Sequence, residues 1–307
     1  MQLSAVSLPQ RTTPDLTPPS DQIPSRTPTI ECLKKMPFQE PHIINPLPPH
    51  AHTHTAVLLH GRGSNGPEFA EELFSGRASR GLNLRESLPS WRWVFPSALE
   101  RWSDTFQDEM SMWFEACDED EDGDGDDDEK ERQQKKRQQV QEDGLRESAG
   151  FVKGVVEEEI ERVGGDGRKV FLGGISQGMA TGLWAFFSLG SLKREIGGFL
   201  GMSGWLPFAM ELESPEEQEG ARERFRRISG TETVAGARST PVLLMHGADD
   251  IWVSVGEGKQ AKRVLEGLGL SVAWREFTGA ENDGHWVKEP EGFDSILQFF
   301  DGRETET

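Results

Sequence analysis

Residues 170–178 read VFLGGISQG, and this stretch decides the fold that we predict for the chain. The apolar run that begins it predicts a short buried strand, and the apolar residues that follow it predict a helix. Between them lies a Gly-x-Ser-x-Gly pattern centred on Ser176. In that setting a sharp turn lifts the serine hydroxyl over the edge of a sheet, and the helix points its free N–H groups at the same place. Ser176 is therefore the first candidate for a catalytic residue.

The rest of the chain repeats the same alternation of strand and helix. We therefore predict an α/β fold with a doubly wound, mostly parallel sheet and helices on both faces. The ligand site of such a sheet lies at the carboxyl ends of its strands. The predicted strands are residues 55–59, 91–95, 170–172, 198–202, 242–245 and 272–277. One predicted helix begins near residue 68, and the others cover residues 145–162, 179–189, 258–268 and 293–300.

Composition divides the chain into one domain and the polar segments around it. Eleven of the 18 prolines fall in the first 50 residues, so residues 1–54 are predicted to be a largely disordered leader. A single domain follows over residues 55–302, with a short tail over residues 303–307. Within the domain we predict an irregular stretch over residues 96–114, a charged surface insertion over residues 118–139 and an exposed polar excursion over residues 211–239.

The charge and the apolar runs argue against several kinds of partner. The net charge of -20 makes nucleic acid a poor partner, because phosphate binding needs a basic surface. No apolar run approaches the length of a membrane span, so we predict no integral membrane segment. The two cysteines, Cys32 and Cys117, are interpreted as unpaired reduced thiols. Because the N-terminal residues also lack a signal-peptide pattern, we predict a cytoplasmic protein.

A serine nucleophile needs a neighbouring base, and histidine is the side chain whose ordinary pKa suits that role. Four of the seven histidines lie in the predicted leader. His60 and His246 each precede a glycine at the end of a predicted strand, where we expect them to shape the loop. His285 follows the last predicted strand and is the candidate general base. The chain order Ser, acid, His then requires an acid between Ser176 and His285.

Two adjacent aspartates supply that acid, and spacing does not choose between them. Asp249 and Asp250 lie just after a predicted strand, in the segment HGADDIWV at residues 246–253. One of them should hold the imidazole in the correct tautomer. Asp283 is a third candidate, but its place two residues before His285 fits a turn better.

The oxyanion that forms in acyl transfer needs two fixed N–H donors. The N–H of Gln177 directly follows the nucleophile and is the first of them. The second should come from the loop after the first strand of the domain, residues 60–64, and we assign it to the N–H of Arg62. Without the Ser176 motif, a plain glycine turn would be the preferred interpretation of that loop.

These segments, in this order, resemble the acyl-protein thioesterase, or phospholipase/carboxylesterase, branch of the α/β-hydrolases. The resemblance implies an enzyme that removes S-linked fatty acyl groups from proteins, or cleaves small esters and lysophospholipids, without a metal or a cofactor. It also favours Asp250 as the acid of the triad, and the backbone of Arg62 and Gln177 as the oxyanion donors. It covers residues 56–300 and rests on LLHGRG at 58–63, SMWF at 111–114, GISQG at 174–178, SGWLP at 203–207 and HGADDIWV at 246–253.

The resemblance leaves the substrate open between an acylated protein and a small ester. Ser64 stands where the family commonly has aspartate, which leaves the chemistry intact but changes a loop beside the site. Four apolar residues would suit an acyl groove at the top of the sheet, and they would equally suit plain core packing. They are Trp113, Phe114, Trp205 and Leu206.

Two metal-binding interpretations compete with this one. A calcium-loop pattern runs through residues 118–129, but such a match is nearly automatic in so acidic a run, so we interpret it as a charged surface segment. Its matching positions are Asp118, Asp120, Asp122, Gly123 and Glu129. His50, His52 and His54 alternate ahead of the first predicted strand, without the cysteines or carboxylates that would complete a metal site.

A third alternative is a non-catalytic protein of the same fold that binds an acylated partner or a small ligand. It predicts no turnover. All three residue types of a triad and both oxyanion loops are present in the sequence, whereas a decayed enzyme would be expected to have lost one of them. A generic carboxylesterase or a lysophospholipase-like enzyme would differ from a thioesterase only in its preference for the leaving group and the acyl chain.

Overall fold

The computed structural model describes residues 38–117, 127–190, 195–213, 219–232 and 238–302. Over these residues the strands are β1 (His42–Ile44), β2 (His54–Leu59), β3 (Trp91–Phe95), β4 (Leu99–Ser103), β5 (Asp108–Met112), β6 (Val170–Ile175), β7 (Gly198–Met202), β8 (Val242–Gly247) and β9 (Val272–Phe277). The helices are α1 (Gly66–Ser75), α2 (Leu84–Ser87), α3 (Asp127–Arg162), α4 (Gln177–Leu189), α5 (Ala209–Glu213), α6 (Glu219–Ser229), α7 (Val255–Gly267) and α8 (Glu291–Phe300), with a 3₁₀ turn at Gly167–Lys169.

Seven of these strands form one sheet, in the order β1-β3-β2-β6-β7-β8-β9. Neighbouring strands from β3 to β9 are parallel, and β1 runs antiparallel to β3 at the edge. The central strands are buried along nearly their whole length, as expected for parallel strands that helices cover on both faces. The predicted doubly wound, mostly parallel sheet is therefore confirmed.

Helices pack on the two faces of the sheet through separate apolar clusters. On one face, α1 and α8 bury Phe69 and Phe293. On the other face, α3, α4 and α7 bury Val156, Leu183 and Leu265. Consecutive residues of β2 alternate between the two clusters, because successive side chains of a strand point to opposite faces. The loops at the carboxyl ends of the strands are thus held between two packed layers.

Two short pairings correct the sequence prediction. The stretch predicted to be irregular up to Phe114 contains an antiparallel hairpin of β4 and β5. Strand β1 falls inside the predicted leader, so the prediction of disorder is wrong for residues 42–44, while residues 1–37 lie outside the described residues. Neither pairing has a clear sequence signal, because these strands are short, half-exposed and mixed in polarity.

The charged insertion predicted over residues 118–139 is helical in its second part. Residues 118–126 lie outside the described residues, and residues 127–139 form the first turns of α3, so this part of the charged insertion is helical. Lys, Glu, Gln and Arg are good helix formers, and pairs such as Glu131 and Lys135 lie on one side of the helix at i,i+4 spacing. The predicted helix over residues 145–162 is the continuation of these turns.

The excursion predicted to be exposed over residues 211–239 contains a packed helix. Phe225 of α6 lies against Trp184 and Phe187 of α4, with ring centres 5.5 Å apart in both pairs. The buried carboxylate of Glu142 accepts a hydrogen bond from Arg227 Nη2 at 2.9 Å and ties α6 to α3. The prediction of exposure is therefore wrong for α6. The sequence did not indicate its burial, because its few apolar residues at helical spacing are outnumbered by charged ones.

Candidate active site

The turn between β6 and α4 holds Ser176 in a strained backbone conformation. Its φ of 55° and ψ of -125° lie where residues with side chains are rarely found. A Cβ on Gly174 would lie 2.5 Å from the carbonyl carbon of Gly178, and a Cβ on Gly178 would lie 2.4 Å from the carbonyl oxygen of Leu59. Both positions therefore require glycine. The sharp turn predicted from the Gly-x-Ser-x-Gly pattern is present at the carboxyl end of β6.

Asp250 and His285 form a hydrogen-bonded pair. His285 Nδ1 lies 2.7 Å from Asp250 Oδ2, and Oδ1 of the same carboxylate accepts the N–H groups of Trp252 (2.8 Å) and Val253 (3.0 Å). Because an ionised carboxylate can only accept, the proton of His285 lies on Nδ1 and its Nε2 is left as an acceptor. The Asp250 side chain is fully buried and that of His285 is 12 % exposed, so substrate can reach the imidazole but not the carboxylate.

The geometry separates the three aspartates that spacing left open. Asp249 Oδ2 accepts the N–H of Gly279 at 2.8 Å. Asp283 has a φ of 54° in the turn before His285, as expected of a turn former. Of the three, Asp250 is the one whose side chain is hydrogen-bonded to His285.

Ser176 and the Asp250–His285 pair lie at the same edge of the sheet. Strand β7 lies between β6, which ends just before Ser176, and β8, which ends three residues before Asp250. The N–H of Ser176 donates to the carbonyl oxygen of Met202 at the end of β7, at 2.9 Å. The hydrogen bonds of the described residues include the Asp250–His285 pair but none from Ser176 Oγ to His285. That contact therefore belongs to the proposed function.

A second histidine lies against the same carboxylate. His246 Nε2 is 3.3 Å from Asp250 Oδ2 and 2.9 Å from the carbonyl oxygen of Val253. Burial lowers the pKa of His246, so its ring is neutral at pH 7 and Nε2 donates to that carbonyl. Gly258 makes room for the ring, since a Cβ there would lie 2.4 Å from His246 Nδ1. As predicted, His246 shapes a loop, and this loop carries Asp250.

The loop after β2 lies directly against Ser176. A Cβ on Gly61 would lie 3.4 Å from Ser176 Cβ and 3.9 Å from its Oγ. Arg62 follows, and its guanidinium carbon lies 4.3 Å from the centre of the Phe106 ring on the β4–β5 hairpin. On the other side of Ser176, Gln177 is the first residue of α4, so its N–H has no acceptor within the helix. Gly61, the residue before Arg62, and Gln177 thus lie next to Ser176 on its two sides.

Buried side chains connect the loop after β2 to α4. The indole Nε1 of Trp113 donates to the carbonyl oxygen of His60, and the backbone N–H of Trp113 donates to Gln177 Oε1, each at 2.9 Å. Gln177 Nε2 in turn donates to the carbonyl oxygen of Phe114 at 2.9 Å. The Gln177 side chain therefore connects the turn at Ser176 to the SMWF segment at residues 111–114. Sequence reasoning missed this role, because spacing along the chain gives no signal for it.

His60 makes the stability of the protein depend on pH. Burial lowers the pKa of His60 from 6.5 to about 4, so the folded protein resists protonation there. The same imidazole in the unfolded chain takes up a proton near pH 6.5, so the unfolded state binds protons first as the pH falls. Through this group alone, the free energy of unfolding should fall by about 2 kcal/mol between pH 7 and pH 5.

Denaturant unfolding of the parent protein and of His60→Asn at both pH values measures this effect. The variant lacks the titrating imidazole, so its free energy of unfolding should fall less between the two pH values. An equal decrease in both proteins would show that His60 titrates normally in the folded state.

Comparison with known proteins identifies the family of the chain. A family model described as Phospholipase/Carboxylesterase matches residues 39–300. The chain belongs to the phospholipase/carboxylesterase family. A family member named "Acyl-protein thioesterase 1", from Gibberella zeae, is 27% identical over 249 residues, which cover 81% of this chain and 89% of that one.

Two further similarities bear on activity and on fold. A protein of Oryza sativa named "Probable inactive carboxylesterase" is 28% identical over 225 residues, which cover 72% of this chain and 74% of that one. The crystal structure of Zea mays acyl-protein thioesterase 2 matches with a TM-score of 0.59 at 23% identity, covering 87% of this chain and 99% of that chain. The fold of this phospholipase/carboxylesterase family member is thus the α/β-hydrolase fold.

The four residues predicted to suit an acyl groove differ in exposure. Trp113 and Phe114 have no exposed surface, and Leu206 is 2% exposed. Trp205 is partly buried, and its ring meets that of Phe114 edge-on with 6.2 Å between centres. Core packing, the alternative left open by the sequence, therefore describes the first three residues in this structure, and Trp205 keeps some surface.

Other apolar residues are exposed around the strand ends of this family member. Ile251 and Trp252, which directly follow Asp250, are 71% and 65% exposed. Trp102 and Phe106 lie exposed on the β4–β5 hairpin. Adjacent apolar side chains this exposed commonly mark a contact surface. Sequence reasoning missed them, because residue type alone does not reveal exposure.

The described residues contain no cluster of ligands that would support either metal interpretation. Residues 118–126 of the calcium pattern lie outside them, and Glu129 lies in α3. His52 Nε2 is 2.9 Å from Thr55 Oγ1. Across the described ranges, no three His, Cys, Asp or Glu side chains are grouped so that they could hold an ion. Of the helices described, none combines the length and the apolar composition that crossing a bilayer requires.

Proposed function

We propose that this chain is a serine hydrolase that cleaves thioester or ester bonds to acyl chains. Ser176 is the nucleophile, His285 the general base and Asp250 the carboxylate that orients it. The observation that carries this proposal is the 2.7 Å bond between His285 Nδ1 and Asp250 Oδ2, at the sheet edge where a strained turn presents Ser176. Membership of the phospholipase/carboxylesterase family supports the same reaction class.

The first half of the reaction forms an acyl-enzyme. Ser176 Oγ attacks the carbonyl carbon of the substrate while its proton passes to His285 Nε2, the nitrogen that the bond to Asp250 leaves as an acceptor. The negative charge on the carbonyl oxygen is stabilised by the backbone N–H groups of Arg62 and Gln177. When the carbon–sulfur or carbon–oxygen bond breaks, the leaving group takes the proton from His285. The acyl chain stays bound to Ser176 as an ester.

The second half of the reaction releases the acyl chain. Water attacks the ester carbonyl while His285 Nε2 takes its proton, and the same two N–H groups stabilise the second oxyanion. Ser176 then leaves with that proton, and the products are a carboxylic acid and the free enzyme. Water is the only co-reactant that these steps consume.

We propose an acylated protein as the substrate class, with small esters and lysophospholipids as the alternative. The relative from Gibberella zeae is named for acyl-protein thioester cleavage, and its similarity spans most of both chains. The partly buried ring of Trp205 and the exposed pair Ile251–Trp252 provide apolar surface at the strand ends for an acyl chain or for the protein that carries it. The cytoplasmic location predicted from the sequence remains part of this proposal.

A substrate panel tests the proposal and its alternatives. The panel consists of S-acyl peptides, p-nitrophenyl esters of increasing chain length and a lysophospholipid, assayed with the parent protein and with His285→Ala. We expect turnover by the parent that falls by about 10³-fold or more in the variant, because Ser176 loses its base. Binding of acylated peptides without any turnover would instead favour a non-catalytic protein, as the name of the Oryza sativa relative suggests for that protein.

A further inference from the structure

We propose that His60 is a positioning residue for the oxyanion hole, holding the Gly61–Arg62 peptide so that the Arg62 N–H faces the oxygen of the substrate. This inference rests on the proposed function, because an oxyanion forms only if Ser176 attacks a carbonyl. It gives a role to a buried histidine that does not act as the general base in the proposed reaction.

Both ring nitrogens of His60 are engaged, and together they define its tautomer. Nε2 lies 3.0 Å from the backbone N–H of Ala98, which can only donate, so Nε2 carries no proton. Nδ1 therefore carries the proton and donates it to the carbonyl oxygen of Gly61 at 2.7 Å. The ring thus joins the loop after β2 to the segment after β3. With 0 % exposure, it has no water to replace either bond.

The bond to Gly61 fixes the direction of the next N–H group. The carbonyl oxygen of Gly61 and the N–H of Arg62 belong to one planar trans peptide, in which they point in opposite directions. His60 holds the carbonyl toward the buried ring, so the Arg62 N–H faces the other side of the loop. Ser176 is a neighbour of that loop, since a Cβ placed on Gly61 would lie 3.4 Å from Ser176 Cβ and 3.9 Å from its Oγ.

The N–H groups of Gly63 and Ser64, the next two residues of the loop, donate to backbone carbonyl oxygens. The N–H of Gly63 donates to the carbonyl oxygen of Ser111 at 2.8 Å, and the N–H of Ser64 donates to that of Gly61 at 3.4 Å. Gly63 has a φ of 81°, which a turn of this kind needs at its third residue. Residues 61–64 therefore form a hydrogen-bonded turn. Within this turn, His60 contacts the Gly61–Arg62 peptide.

Trp113 links His60 to the second oxyanion donor. Its ring lies against the imidazole, with 5.0 Å between centres, and its Nε1 donates to the His60 carbonyl oxygen. Its backbone N–H donates to the side chain of Gln177. One buried tryptophan thus sets the loop that carries the Arg62 N–H and the helix end that carries the Gln177 N–H at a fixed separation, which is the preorganisation that an oxyanion hole requires.

The test compares His60→Leu and His60→Asn with a matched control at the first residue of β2. Leucine fills much of the space but makes neither hydrogen bond, whereas the Asn carboxamide can still donate to Gly61. His54→Asn is the control, because His54 begins β2 at the end away from Ser176. For each protein, kcat and KM are measured on a thioester or p-nitrophenyl ester, and a fluorophosphonate titration counts the active sites.

We expect His60→Leu to lower kcat per titrated site by about 10²-fold with KM changed by less than about threefold, because the oxyanion exists only beyond the ground state. His60→Asn should retain more activity than His60→Leu, and His54→Asn should match the parent. Affinity for an alkyl trifluoromethyl ketone, whose tetrahedral adduct carries an oxyanion, should fall in His60→Leu by the same factor as kcat. A merely structural role would not link these two quantities.

Three outcomes overturn the inference. A kcat per site in His60→Leu equal to that of the parent would show that the loop holds its shape without the ring. A loss confined to KM would assign His60 to substrate binding, and a loss confined to the number of titratable sites would assign it to folding alone. A parent protein that neither turns over substrate nor is titrated would overturn the proposed function itself, and this inference with it, whereas the first two outcomes leave the proposed function standing.

Discussion

Asp250→Asn should lower kcat by about 10⁴-fold while the protein stays folded, because the amide imposes the wrong tautomer on His285. Both carboxylate oxygens of Asp250 accept N–H groups, two backbone N–H groups on Oδ1 and the imidazole on Oδ2. The carbonyl oxygen of the new amide will keep the two backbone donors, so its NH₂ group faces His285 Nδ1. That nitrogen must then accept, the proton moves to Nε2, and Nε2 can no longer take the proton of Ser176.

Asp249→Asn is the matched control, since it makes the same chemical change one residue earlier. Its new carbonyl oxygen can still accept the N–H of Gly279, so kcat should stay within about twofold of the parent. Steady-state kinetics on one ester substrate compares the two variants. Equal losses in both, or a loss only in Asp249→Asn, would mean that Asp250 is not the acid of the triad.

Glu159→Ala should lower the free energy of unfolding by about 3–5 kcal/mol and leave the kcat of the folded protein unchanged. The Glu159 carboxylate is 5% exposed and lies 3.1 Å from Arg92 Nε, and it also accepts a hydrogen bond from Thr55 Oγ1 at 3.2 Å. Without it, the Arg92 guanidinium, which is 11% exposed, keeps the Asn45 side chain but loses its partner charge. The burial of an uncompensated charge is what destabilises the variant.

The position of this pair explains why activity should survive. Thr55 and Arg92 lie at the amino ends of β2 and β3, whereas Ser176 lies at the carboxyl end of β6. Glu157→Ala is the control on the same helix, because Glu157 pairs with Lys153 in a partly exposed i,i+4 contact worth about 0.5 kcal/mol or less. Urea unfolding measures both variants. A loss below about 1 kcal/mol in Glu159→Ala would contradict the assignment of a buried, interdependent pair.

The strands that carry the site could be predicted because their apolar runs are unbroken. Strands β3, β7 and β9 have the predicted bounds, and β6 and β8 extend beyond them only through glycine-containing segments. The hairpin of β4 and β5 could not be predicted in this way, since its pairing depends on contacts made after folding rather than on its own alternation. The burial of α6 could not be predicted for the same reason, because its few apolar residues are buried only by packing against α4.

The chemistry-bearing residues could be predicted where geometry is local. The two glycines beside Ser176 have to be glycine in any tight strand-to-helix turn, so the motif is sufficient to predict that turn. The choice of Asp250 over Asp249 needed either a family resemblance or coordinates, because both follow the same strand. The contacts of His60 and of the Gln177 side chain are made with residues distant in sequence, Ala98 and the SMWF segment. Sequence spacing does not predict such contacts.

Covalent labelling with a fluorophosphonate probe, followed by mass spectrometry of the labelled peptide, tests the central claim most directly. The proposed function predicts that the probe forms one adduct on Ser176 in the parent protein, that heat-unfolded protein is not labelled, and that Ser176→Ala is not labelled. Equal labelling of Ser176→Ala, or an adduct mapped to another residue in the folded parent, would contradict it.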